Sequence, residues 1–327
     1  MKSRVKRFAI IGLSSILLIA IGLGIYTWLH WSPAGSVYIA SGVAHIELPH
    51  RLRNGAEHDA ARSRNGGNPY ILRIDTEYAG SLLYYGASHT RNPGHPQISD
   101  ITSRWNVFKP TVALYEGRSR GYFYGALIEP FAGLPEPALV HKLARHDDIP
   151  LYSLEPAYAD EVAELLQLFS AEQIALYFFL RVYSSEAGGV SDEALALDLL
   201  SKRTDVDGLR RSLSTLADVD RLWQRDFPDQ DDWRIYQGEP SYLDEISDSS
   251  RRIRGEHMAR ILIDLVERGE RVFAVVGSGH VIRQEWNLCA AFDQEPAWDQ
   301  PAGTTSQQGE RTHLDDASTV TPGQNKL

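Results

Sequence analysis

Five β-rich runs frame this chain, at residues 70–76, 81–85, 111–115, 151–154 and 271–276. Each is short, apolar or aromatic, and bounded by turn-forming or polar residues, which is the pattern of a strand. Tyr78-Ala79-Gly80 separates the first two and suggests a hairpin. Helix-length segments follow. Residues 96–107 put Ile98, Ile101 and Trp105 on one face, and 136–146 reads as a second helix. Alternation at this spacing predicts an α/β fold, a parallel-sheet core with right-handed β-α-β crossovers.

The segments 157–169, 171–184, 191–201 and 206–227 all carry helical periodicity, predicting a helical insertion over about 157–240. A further helix is expected from 242 to 268. Residues 51–69, rich in Arg, Asn and Gly, read as a loop. Residues 294–327, rich in Gln, Thr, Ser, Gly, Asp and Pro, read as a disordered tail. The expected organisation is thus a segment 1–31, a linker and loop region 32–69, an α/β domain 70–293 and the tail.

The N-terminal segment is a case of its own. Lys2, Arg4, Lys6 and Arg7 precede an uncharged run from 8 to 29, 22 residues long. About 20 apolar residues cross a bilayer as a helix, so a transmembrane helix is expected. A cleaved signal peptide begins in the same way, but this run exceeds the usual apolar region and no Ala-x-Ala site follows. Positive charge before the helix keeps the N-terminus in the cytoplasm and sends the rest of the chain out. Beyond residue 31 there are 29 basic against 43 acidic side chains, a net charge of −14. A domain this acidic is expected not to bind nucleic acid through phosphates, nor to lie flat on anionic lipid. Cys289 is the only cysteine, which rules out an intrachain disulfide and a cysteine-built zinc site.

Four of the expected strands end on residues capable of chemistry. One runs into Gly86-Ala87-Ser88-His89, one ends at Glu116-Gly117-Arg118, one at Glu155-Pro156, and the last runs into Gly277-Ser278-Gly279-His280. Ligands of open parallel sheets collect outside the carboxyl ends of the strands. Gly86 and Gly277 are expected to turn the chain sharply, with φ values that other residues resist. Imidazole is a common metal ligand and a general acid or base near neutral pH. Glu116 or Glu155 would complete a site with a place for water, and Arg118 would orient a carboxylate or bind an anion.

The tetrapeptide Gly-x-x-His is a weak signal by itself. It occurs four times, including Gly42-Val43-Ala44-His45 and Gly55-Ala56-Glu57-His58, and the last falls in the expected loop. His95, six residues after His89, reads as a further ligand or as a helix-start residue, and the second is preferred. Position after a buried strand is what sets His89 and His280 apart.

Taken in order, Gly86 to His89, Glu116 with Arg118, Arg254-Gly255-Glu256-His257-Met258-Ala259, and Val275-Val276-Gly277-Ser278-Gly279-His280 resemble the TraB/GumN and TIKI superfamily over roughly residues 70–290. The run from Arg254 to His280 carries most of the likeness. Gly255 departs from the Asp or Asn more usual there. The resemblance implies an α/β core that brings together two Gly-x-x-His motifs, an acidic residue and an arginine. It carries over His89, His280, Glu116 and Arg254 as site residues; for Arg118, the neighbouring Arg120 is close enough to take its place. Glu155 enters mainly through its strand-end position. The TIKI branch comprises membrane-associated, metal-dependent proteases using manganese or cobalt. Other branches include pheromone-shutdown proteins, erythromycin-esterase-like enzymes and ChaN-like haem-binding proteins.

The leading expectation is a membrane-anchored, metal-dependent hydrolase, peptidase-like, acting on an exported peptide or small molecule. His89, His280 and Glu116 would hold a divalent ion (manganese, cobalt or zinc), whose bound water becomes the nucleophile. Glu116, Arg118, Glu155 and Arg254 would serve catalysis around it. Two alternatives stand beside it: a metal-independent, esterase-like hydrolase with a histidine base paired to Glu116, and a non-catalytic binder of a peptide or haem.

Overall fold

The β-rich runs become strands because their side chains, alternating at period two, find cover on both faces. The computed structural model describes residues 17, 19–27, 31–32, 34–40, 42–64, 68–90, 92, 94–118, 122–123, 135–187, 192–230, 232–235, 241–295 and 297–298. After a helical stretch at residues 19–27 come β1 (Trp31–Ser32), β2 (Ser36–Val37), α1 (Gly55–Arg64), β3 (Tyr70–Asp75) and β4 (Ser81–Ala87). It continues through α2 (Pro96–Phe108), β5 (Val112–Tyr115), β6 (Tyr122–Phe123), α3 (Pro135–His146) and β7 (Leu151–Ser153). Four helices come next, α4 (Tyr158–Leu165), α5 (Ala171–Ala187), α6 (Glu193–Thr204) and α7 (Leu216–Asp226). The 26-residue α8 (Tyr242–Glu267) then leads to β8 (Arg271–Gly277), α9 (Ser278–Ala291) and β9 (Ala297–Trp298).

A seven-stranded sheet has the order β2-β7-β5-β8-β4-β3-β9. Its strands from β2 to β4 run parallel. β3 is antiparallel to both β4 and β9, the first pair being the expected hairpin. The predicted α/β architecture with a largely parallel sheet is therefore present. On one face Tyr84, Leu114, Ala274 and Val276 pack against Met258, Ile261 and Leu265 of α8 and Val281 of α9. On the other, Tyr85, Ala113, Phe273 and Val275 meet Ile101 and Trp105 of α2 and Val140 of α3.

The helices after β7 have a core of their own, with Phe179, Leu199, Leu222 and Trp233 at its heart. α8 belongs to both bodies. Leu243, Ile246 and Ile253 enter the helical core, whereas Met258 to Val266 lie under the sheet. Arg254 and Gly255 stand at the changeover. A Cβ on Gly255 would come within 2.6 Å of Leu52 Cδ1, so the glycine admits the segment that precedes α1.

Several expectations need correction. The polar stretch 51–69 contains the helix α1, nucleated by a capping box. The Asn54 side chain accepts from the Glu57 N–H at 3.0 Å, and the Glu57 carboxylate accepts from the Asn54 N–H at 2.9 Å. The helix expected over 206–227 forms only as α7, because Gly208 takes φ +89° and Thr215 with Asp218 makes a fresh capping box. In the expected tail, residues 297–298 pair with β3, while 299–327 lie outside the described residues. The run 8–29 also lies partly outside them. Residues 19–27 are helical, and among the described residues no helix is long and apolar enough to cross a membrane.

Candidate active site

Sheet order explains why residues far apart in sequence meet. β7, β5, β8 and β4 are consecutive neighbours, and they are the strands that lead into Glu155, Glu116, His280 and His89. Their carboxyl ends are level: Ala87 pairs with Gly277, and Tyr115 with both Val275 and Ser153. Four strand ends thus deliver two imidazoles and two carboxylates to one edge of the sheet.

Glu116 is the hub. Its Oε1 lies 3.2 Å from His280 Nε2, and its Oε2 lies 3.9 Å from His89 Nε2. The Gly277 N–H donates to Oε2 at 2.6 Å, and Arg254 Nη2 approaches Oε1 at 3.4 Å. Burial works against the charge of Glu116, but His280, the Gly277 N–H and Arg254 outweigh it and hold the carboxyl well below the usual carboxylate range. The start of α9 at Ser278, with its positive dipole end, favours an anion in the same place.

Arg254 is fixed from behind. Its Nε donates to Glu155 Oε2 at 2.6 Å, and its Nη2 also binds Glu155 Oε1. Burial opposes the charge, but the bonds to Glu155 and the fields of Glu155, Glu116 and Glu161 raise the guanidinium pKa further. His89 is held by its loop rather than its ring. Gln97 accepts from the Ser88 N–H at 3.1 Å and donates to the Ser88 carbonyl at 2.7 Å, while Glu136 accepts from the Thr90 N–H at 3.2 Å. The His89 side chain is 52% exposed and that of His280 only 16%.

Neither motif glycine has the conformational role expected of it. Gly277 has φ −62° and ψ 140°, and Gly86 is not in the left-handed region. Both are there for close approach. A Cβ on Gly277 would meet His89 Nε2 at 2.7 Å, and one on Gly86 would meet the Tyr70 carbonyl oxygen at 2.6 Å and Ser278 Cα at 2.8 Å. The left-handed glycine of the site is Gly117, φ +122°, which turns the chain away just after Glu116. That turn removes Arg118 from the site: its guanidinium is stacked 3.8 Å from the centroid of the Tyr158 ring. Arg120 lies outside the described residues. His95 is the N-cap of α2, as expected, and His45 ends a short 3-10 turn.

A cavity of about 600 Å³ opens over Glu116, His89, His280 and Arg254. Its walls contain residues the sequence reading missed: His58 and Arg62 from α1, Tyr177 and Arg181 from α5, Arg251 from α8 and Arg283 from α9. For His58 a signal existed, since the Asn54-Gly55-Ala56-Glu57 capping box announces the helix that carries it.

The expected metal set of His89, His280 and Glu116 is gathered, but it does not fit a resident cation as arranged. Glu116 Oε1 already faces an imidazole nitrogen and a guanidinium, and Oε2 holds a backbone N–H. A cation between them would stand beside the Arg254 charge, which disfavours it. Among the described residues no group of three or more His, Cys, Asp or Glu is close enough to hold an ion. What the arrangement does offer is acid–base chemistry: an ionised carboxylate between two imidazoles, in a cavity large enough for a small ligand. Compared with protein-family models, curated proteins and solved structures, the chain matches none of them.

Proposed function

We propose that this chain is a hydrolase of acyl bonds, peptidase- or esterase-like, anchored through its apolar N-terminal run with the α/β domain exported. One observation carries the reading: a single partly buried, ionised Glu116 faces both His89 and His280 at the floor of the cavity. The order of these residues along the chain, which resembles the TraB/GumN and TIKI superfamily, agrees with it. In this reading His89, the more exposed ring, takes a proton from water as the water oxygen adds to the carbonyl carbon. Glu116 stabilises the imidazolium that forms, and the positive end of α9 favours the developing oxyanion. When the adduct collapses, His89 returns its proton to the leaving atom. His280 and Arg254 keep Glu116 in place; they are positioning residues.

The full-length chain, purified in detergent, is to be assayed on fluorogenic peptide and ester panels with and without exhaustive chelation. The expected result is turnover that survives chelation and falls about 10²–10⁴-fold in His89→Ala, the range for a general base. Activity that chelation abolishes and manganese, cobalt or zinc restores would replace this mechanism with the metal-dependent one. Wild-type protein without turnover on any substrate would overturn the enzyme reading.

A further inference from the structure

The cavity carries a charge opposite to that of the molecule. The chain has a formal net charge of −10, yet among the described residues five arginines line this one cavity and Glu116 is the only acid that does. They come from four helices: Arg62 on α1, Arg181 on α5, Arg251 and Arg254 on α8, and Arg283 on α9. Arg254 is engaged by Glu155 and Glu116. Arg251 pairs with Asp248 on its own helix, and Arg283 Nη1 donates to the Arg53 carbonyl at 2.8 Å, with no carboxylate of the described residues in contact with the Arg283 charge. Arg62 and Arg181 make no hydrogen bond or ion pair with the described residues.

Gathering like charges in a concave site costs free energy and concentrates anions there. The cost is visible at Arg283, whose pKa is pushed down first by burial and then by the charge of Arg251, with Asp248 and Asp59 only partly offsetting it. Arginine also suits the task, because its planar fork matches the oxygens of a carboxylate or phosphate. Beside the main cavity a recess of about 160 Å³ shares Tyr177, Arg181 and Ser247 with it and is lined further by Leu180, Ser184, Leu243 and Asp244. Arg181 and Ser247 therefore stand on the boundary, where an anionic group can bind on the main-cavity side, away from the Asp244 carboxylate in the recess.

We propose that the substrate carries an anionic group, a carboxylate or a phosphate, which Arg181, Arg251 and Arg283 hold at the cavity wall while the acyl bond lies over Glu116 and His89. This rests on the hydrolase reading for its chemistry, but binding can be tested apart from turnover. The probes are inorganic phosphate and two acetylated tripeptide amides, Ala-Ala-Glu and Ala-Ala-Gln, titrated calorimetrically into the full-length chain at low and high salt. At least one anionic probe is expected to bind roughly tenfold or more tighter than the Gln peptide, the scale of a hydrogen bond to a charged group. The difference should shrink with salt. It should vanish in the double variant Arg181→Gln, Arg251→Gln, whose exposed side chains leave the fold intact by circular dichroism. It should persist in His89→Ala.

Whether phosphate or the Glu peptide shows the preference identifies the anion. Equal binding of all three probes, or a preference that survives in the double variant, overturns the proposal. Arginine-dependent binding without any turnover sinks the hydrolase reading and leaves the anion site standing. Turnover together with equal binding of all three probes does the reverse.

Discussion

Replacing Gly277 by alanine separates the geometry of the site from the stability of the fold. The backbone there, φ −62° and ψ 140°, is open to any residue, so alanine adds no strain. Its Cβ, however, would lie 2.7 Å from His89 Nε2 and 3.2 Å from Glu116 Oε2. Non-bonded atoms settle at about 3.5–4.0 Å, so the imidazole has to move by roughly 1 Å. The ring tip is half exposed and yields easily. Losing the glycine N-cap costs about 1 kcal/mol at most. The reduced freedom of the unfolded chain offsets about 0.4–1 kcal/mol of that. Stability should therefore change by less than about 1 kcal/mol, whereas a displacement of about 1 Å at a reacting group lowers kcat/KM by about 10²-fold. Urea unfolding followed by circular dichroism measures the first, and hydrolysis the second. The His89 ring proton resonances report the displacement even without a substrate. Unchanged turnover together with an unshifted His89 resonance would refute the argument, as would a loss of stability above about 3 kcal/mol.

At Gly86 the same substitution should act on the fold instead, because the obstacles are the Tyr70 carbonyl and Ser278 Cα, backbone atoms that cannot swing away. Gly86→Ala is expected to cost about 3 kcal/mol in urea unfolding, at the upper end of core overpacking; a shift below about 1 kcal/mol would contradict it. Arg254→Leu strands the buried Glu155 carboxylate and should cost about 3–5 kcal/mol, most of it recovered by adding Glu155→Gln. Additive losses in the double variant would count against that pairing. For Glu116 the sign follows from its depressed pKa: its stabilisation is complete above the ordinary value of 4.5 and is lost as pH falls below it. The Tm gap between wild type and Glu116→Gln should thus be widest near pH 7 and close progressively below pH 4.5; a gap of equal size at pH 3 and pH 7 would argue that the carboxylate is not specially stabilised.

The strands and their ends were readable because both signals are local. Residues 272–276 form an apolar run that the structure covers on both faces, and a polar residue where such a run stops belongs to the strand's edge whatever the rest of the chain does. Helix α1 was missed because it is polar and lacks an apolar stripe, so only its capping box marked it. Arg118 was misplaced for a local reason of another kind: a single left-handed residue, Gly117, decides which way the chain leaves β5.

By itself the sequence determined that apolar runs alternating with helices would make an α/β sheet, and that His89, Glu116, Glu155 and His280 would sit at its strand ends. Local hydrophobic periodicity carries that much. The tertiary structure alone decided that β7, β5, β8 and β4 would be neighbours. It also decided that Glu116 would be the shared partner of both histidines and that arginines from four helices would line one cavity. Those facts depend on which surfaces bury one another, and burial is a property of the whole packed chain.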